Sequence, residues 1–177
     1  MLYLGATIHA DGKFGCEISR KIGAASAAFK CLCEVWKNTS VTMRRKLHIF
    51  NMVVVSKLKY GVASAWLSRA DLRRLDGFHA KCLRKMLKIP AAYISRISND
   101  SVRNKAGVQP LSASVAKAQL ALMEAVLNQP EKMALRRVAF QGTTTRPMTD
   151  AYVRKVGRPR HNWCEQVMKM RQVSGAQ

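Results

Sequence analysis

SRADLRRLDGFHAKCLRKMLKIP, residues 68–90, carries the clearest helical signal in the chain. Ser68 followed three residues later by Asp71 makes a capping-box-like start, with Asp standing where Glu is preferred. Leu72, Leu75, Phe78, Cys82 and Met86 then recur at helical spacing, and Pro90 is the expected stop. Arg73, Arg74, Lys81, Arg84, Lys85 and Lys88 fall off that stripe, so one face is built to pack and the other is strongly basic. Solvated helix faces usually mix signs, because like charges four residues apart cost about 0.2–0.5 kcal/mol per pair. A face of one sign is suited to a polyanion, which turns the repulsion into binding energy.

Working towards the N-terminus, Met43, Leu47, Phe50, Val54 and Leu58 mark another helical face after Ser40, with Arg44, Arg45 and Lys46 near its start. The run Met52–Val55 is also compatible with a strand; helical spacing through Leu58 favours the helix. Ile18, Ile22, Ala25, Phe29, Leu32 and Trp36 predict a helix from Glu17 to about Lys37. The start, Tyr3 to Ile8, is apolar and followed by the turn dipeptide Asp11-Gly12, which reads as a short strand or hairpin arm.

Towards the C-terminus, a short helix over Asn99–Ala106 is closed by Gly107, and another spans roughly Ser114–Leu127. Pro130 opens a further turn or two of helix to about Phe140. Gly142 to Pro147 lacks apolar period and reads as a linker, and Gly157-Arg158-Pro159-Arg160 precedes a last short helix with Trp163, Val167 and Met170. The chain is thus expected to be mainly α, without internal repeats. Its parts are a hairpin arm (1–16), a helical bundle (17–107), further helices (108–140) and a mobile basic tail (141–177).

The charge points to a partner. Thirty-one Lys and Arg against ten Asp and Glu leave a formal +21, and residues 37–88 hold thirteen basic residues against Asp71 and Asp76 alone. Nucleic acid is the first candidate, since neutralised phosphates release condensed counterions. An anionic membrane surface is the weaker second: no basic amphipathic segment carries a Trp/Phe-rich face, and no apolar run reaches the roughly 18 residues of a spanning helix. Aromatic residues are sparse and mostly at core-periodic positions, so phosphate contact is favoured over base readout. No zinc-finger spacing, ribonucleoprotein motif or basic-zipper pattern occurs, while a helix-turn-helix remains compatible with the pattern.

The same residues offer little chemistry. The ten carboxylates form no D-D, D-x-D or E-x-x-H pair that would hold a two-metal site. His9, His48, His79 and His161 lie in separate segments and read as surface or capping histidines. Nucleophile-elbow and phosphate-loop motifs are absent. The five cysteines, Cys16, Cys31, Cys33, Cys82 and Cys164, have neither zinc spacing nor the look of a secreted disulfide framework, and read as buried thiols in a reducing compartment.

The order of these features resembles the C-terminal part of the reverse transcriptases of non-LTR, LINE-type retrotransposons. The resemblance covers about residues 3–107, with a weaker echo at 157–163. Tyr3-Leu4-Gly5, Ile8, Asp11-Gly12 and Glu17-Ile18 with Arg20 and Ile22 are similar to the stretch after that family's catalytic palm. Phe29, Trp36, Lys46-Leu47, Tyr60-Gly61, Trp66, Ala70-Asp71, Arg74-Leu75, Phe78-His79, Lys81-Cys82-Leu83-Arg84, Leu87 and Ile89 resemble its helical thumb. Asn99-Asp100 with Val102 and Gly107 look like the short helix after it, and Gly157-Arg158-Pro159-Arg160 with Trp163 like its G-R-P-R-x-x-W tail.

The resemblance implies a fragment of an RNA-directed DNA polymerase that binds template-primer RNA and DNA, largely independent of sequence. Lys57, Lys59, Arg73, Arg74, Lys81, Arg84, Lys85, Arg158 and Arg160 would contact phosphates, and Tyr3, Leu4 and Gly5 would be a primer-grip remnant. The family's paired aspartates and the Mg²⁺ they bind belong to a palm upstream of the Y-L-G element, here preceded only by Met1 and Leu2. A palm and fingers supplied by another chain would be a partner, a membrane would not, and action would fall in the nucleus or cytoplasm. Two other readings stay open: a non-enzymatic basic DNA- or RNA-binding protein, and a retroelement remnant with no role.

Overall fold

The computed structural model describes residues 2–3, 6–7, 14–141, 144 and 163–174. The chain is mainly helical, as its periodicity predicts. Its first described element is a minimal antiparallel pairing of β1 (Leu2–Tyr3) with β2 (Ala6–Thr7), in the register Leu2↔Thr7 and Tyr3↔Ala6. Such a short ladder is not stable by itself and does not establish the longer hairpin arm expected over 1–16. The expected turn at Asp11-Gly12 lies outside the described residues.

The chain divides into two compact units, one formed by residues 1–62 and 67–115, the other by 63–66 and 116–177. In the first, helix α1 (Gly15–Cys31) and helix α2 (Cys33–Lys37) replace the single helix expected to Lys37. The break at Leu32 has a reason. It lets Trp36 stack on Phe29, with ring centroids 5.0 Å apart and planes 16° from parallel, and donate its indole N–H to the Phe29 carbonyl at 2.8 Å. Phe50 meets both rings edge-on, at 5.9 and 6.5 Å. Offset and edge-to-face pairs of this kind each add about 0.5–1.5 kcal/mol beyond the area they bury.

Phe50 ends α3 (Met43–Phe50), capped by the Thr42 hydroxyl, which accepts the Arg45 N–H at 3.4 Å. The helical path continues through a wider π-turn segment, Asn51–Val55, into α4 (Ser56–Lys59). The β-branched run is therefore helical, not strand, but over-wide: Ser56 N–H reaches back to Asn51 O. The extra residue rotates the helix face so that adjacent Val54 and Val55 are both buried, while Met52 is left largely exposed.

Helix α5 (Arg69–Met86) begins at the predicted capping box. Asp71 N–H donates to Ser68 Oγ at 3.1 Å and Ser68 N–H to Asp71 Oδ2 at 3.3 Å. Its packed face is not quite the predicted one: Leu75, His79, Cys82, Leu83 and Met86 are buried, whereas Leu72 and Phe78 are only partly covered. The helix also ends before Pro90 can stop it, because Lys88 turns into the left-handed region at φ 56°. α1 packs against the π segment, α4 and α5, and α2 packs on α5.

A short helix, α6 (Ala92–Ser95), lies in the connection to α7 (Asn99–Ala106), which also packs on α5. As predicted, α7 closes at Gly107, which takes φ 66° and leaves Val108 N–H bonded to Arg103 O at 3.1 Å. Helix α8 (Leu111–Leu127) starts earlier than expected because Asp76 of α5 binds its first turn, accepting the Ser112 N–H at 2.9 Å and hydroxyl at 2.6 Å.

The second unit has its own core of Met123, Val126, Phe140, Cys164 and Val167. α9 (Ala134–Ala139) is shorter than the helix expected from Pro130. α10 (Trp163–Ser174) is no tail: Cys164 and Val167 are buried, and Trp163 donates its indole N–H to Ala63 O at 2.9 Å. Gln119 fixes the same short segment by donating to Ala65 O at 2.9 Å. The linker expected over 142–147 lies outside the described residues except for Thr144.

Candidate nucleic-acid interface

On α5 the exposed positions are Arg69, Ala70, Arg73, Arg74, Gly77, Lys81 and Lys85, and Lys88 comes just past its end. Steps of three and four residues place those from Arg69 to Lys85 on one face of the helix. The face is basic because it carries no acid of its own, and the two acids of the helix are already bonded. Asp71 closes the capping box and Asp76 holds Ser112. Among the described residues Lys81 and Lys85 make no ion pair.

Arg74 is only half available to a partner. It donates to Ser19 Oγ at 2.7 Å and to Gly15 O at 3.4 Å, and lies 3.6 Å from Asp71, so it ties α5 to α1. Lys57 and Lys59 are both exposed on α4, but residues two apart on a helix point in different directions and do not extend one surface together. Arg158, Arg160, Leu4 and Gly5 lie outside the described residues, as do the side chain of Tyr3 and residues His9 and His161.

Arg84 departs from its expected role. It is 6% exposed, and its guanidinium is taken up by protein acceptors. Nη1 donates to Pro90 O and Ser95 Oγ, both at 3.3 Å; Nη2 donates to Ile97 O at 2.5 Å and Asn99 Oδ1 at 3.1 Å. By helical spacing Arg84 belongs with Gly77 and Lys81; the chain after α5 folds over it and withdraws it from solvent. Arg84 is therefore a structural residue and not an available phosphate contact.

Two other basic residues are internal. Lys46 donates to Trp36 O at 2.9 Å. Lys21 donates to Tyr60 O at 2.5 Å, sits 3.5 Å from Glu17 and lies over the Tyr60 ring at 5.3 Å. Burial lowers the Lys21 pKa, with Glu17 opposing the shift. Glu17, fully buried, also accepts from Arg20 at 2.8 and 2.6 Å. These contacts use positive charge to hold helices together, so the surface field is concentrated where such contacts are absent.

His79 is a core residue and not the surface or capping group expected. It stacks on Phe50 at 5.6 Å, and its Nδ1 has no hydrogen-bond partner among the described residues. Burial lowers its pKa; Asp76 opposes this and Arg103 adds to it. His48 is exposed. Only Cys82 and Cys164 are buried thiols, with pKa values pushed up by burial, to about 12 for Cys82; Cys16, Cys31 and Cys33 are exposed.

Among the described residues no group of three or more His, Cys, Asp or Glu side chains is placed to hold a metal ion, and no helix is long and apolar enough to cross a membrane. The Mg²⁺ implied by the resemblance thus has no donor set among them, and no catalytic step is assigned to these residues. Comparisons with protein-family models, curated proteins and solved structures return no match to this chain.

Proposed function

We propose that this chain holds template-primer nucleic acid as the thumb-like part of a reverse transcriptase of the non-LTR retrotransposon type. The observation that carries the reading is the exposed one-signed face of α5, from Arg73 through Lys81 and Lys85, with its nearby acids occupied. A helix presenting cations at three- and four-residue steps follows a phosphate backbone without reading bases. Polymerisation would fall to a palm carrying the paired aspartates. The primer-grip role of Tyr3, Leu4 and Gly5 belongs to the proposal on resemblance alone.

The test replaces Lys81 and Lys85 together by Glu and measures binding of an RNA–DNA hybrid duplex across a salt series. The affinity should fall and the salt dependence flatten, by a slope of roughly 0.9 for each phosphate no longer neutralised. Unchanged affinity and slope would overturn the assignment of this face. A preference for one sequence of more than about a thousandfold would favour a specific DNA- or RNA-binding module instead.

A further inference from the structure

The connection between α5 and α7 is held in place from beneath. Arg84 binds it at Pro90, Ser95, Ile97 and Asn99, and Ser95 Oγ also donates to Pro90 O at 3.3 Å and Ala91 O at 3.2 Å. Lys88 and Arg96 adopt φ values of 56° and 52°, a region that residues with side chains enter only at a cost. A buried guanidinium and two such turns define one conformation of the loop.

What that conformation presents is not a hydrophobic core. Tyr93 is 83% exposed and Ile94 63%, and Ile97 is also exposed. A single exposed apolar residue is ordinary, but three within five positions of a pinned loop form a presented surface. Its charge is one-sided: residues 77–99 contain five Lys and Arg and no acid. Its location is equally specific. Arg84 comes three residues after Lys81 and seven after Gly77 on α5, so the loop that covers Arg84 sits on the basic face of the helix, towards its C-terminal end.

We propose that this loop is a second nucleic-acid contact, in which Tyr93 stacks an unpaired base while Lys88 and Arg96 engage the flanking phosphates. The inference rests on the nucleic-acid reading above and adds a preference for single-stranded extensions beside the duplex. Every base has a π-face, so an exposed tyrosine among cations takes a strand without reading its sequence. An anionic lipid surface offers the same phosphates, but α6 is four residues long and cannot form an amphipathic face to lie in a bilayer.

The experiment compares binding of a blunt hybrid duplex and of the same duplex with a single-stranded extension, for the full chain and for Tyr93→Ala and Tyr93→Trp. The unaltered chain should bind the extended duplex more tightly. Tyr93→Ala should lose about tenfold on that substrate and nothing on the blunt one, with unchanged thermal melting. Tyr93→Trp should keep the affinity, with its fluorescence quenched by the extension. Equal loss on both substrates, or none on either, overturns the stacking role while leaving the duplex-binding face intact. Tyr93-dependent binding to vesicles of anionic phospholipid, without the preference for an extension, overturns it too and assigns the loop to a membrane surface. If the unaltered chain binds neither duplex, the nucleic-acid reading itself falls, and this inference with it.

Discussion

At its N-terminal end α5 is closed by Ser68 and Asp71, and Arg73 and Arg74 are exposed; at its C-terminal end Lys81 and Lys85 are exposed, while Arg84 is buried. The residue chemistry and helical spacing at the two ends are nearly the same. The difference lies in the chain packed above each end. Arg73 is exposed, whereas the segment beyond Met86 turns back and supplies Arg84 with four acceptors. A basic residue on an outward face is a ligand contact or a structural hub according to whether another segment covers it, and spacing along its own helix does not decide which.

The largest effect is expected of Arg84→Ala. It takes the donor from four acceptors of the loop and leaves a hole beneath it, and should lower the unfolding free energy by about 2 kcal/mol. Arg84→Lys should recover only part, because an ammonium lacks the planar fork that reaches several acceptors. Lys81→Gln with Lys85→Gln is the matched control and should change stability by less than about 0.5 kcal/mol. Denaturant titration of the three proteins checks both ends at once; equal effects would dissolve the distinction.

At the other end of the helix, Ser68→Ala removes the cap and should cost about 1 kcal/mol in the same measurement. The inward face offers a pH test. The folded protein holds the His79 pKa below its ordinary 6.5, so on acidification the unfolded chain takes up the proton first. The His79 contribution is complete above pH 6.5 and is lost as the pH falls from there through the lowered folded value. His79→Phe, which keeps a ring against Phe50, should remove this part of the pH dependence; the same slope in both proteins would assign it to another group.

The smallest effect sharpens the picture of the outward face. A Cβ at Gly77 would meet nothing within 4 Å, and the residue is in mid-helix with an ordinary φ. Gly77→Ala should therefore stabilise the free protein by about 0.5–1 kcal/mol. A loss of stability on melting would mean that this face is covered in the folded chain.

Much of this was legible in the residues themselves. Ser68 with Asp71, Asn99–Ala106 with Gly107 and the repeating Ile18, Phe29, Phe50 and Leu75 specify helix starts, stops and buried faces through local hydrogen bonding and period, which need no knowledge of distant chain. The break at Leu32, the over-wide turn at Asn51–Val55 and the early start of α8 were not legible, because each answers a partner remote in sequence or a packing demand. The helix Trp163–Ser174 looked like a tail for the same reason: its apolar residues are few, and only the core of Met123, Val126 and Phe140 gives them something to cover.

The candidate site divides along the same line. That α5 is a helix, basic on one side and packed on its apolar side, follows from its own residues, because charge and period are local properties. That Lys21, Lys46 and Arg84 are internal, Asp71 and Asp76 occupied, and Lys81 and Lys85 exposed depends on the folding of distant segments. The physical reason is that a long cationic side chain is stable either in water or against several carbonyl oxygens, and which of these surrounds it depends on segments tens of residues away.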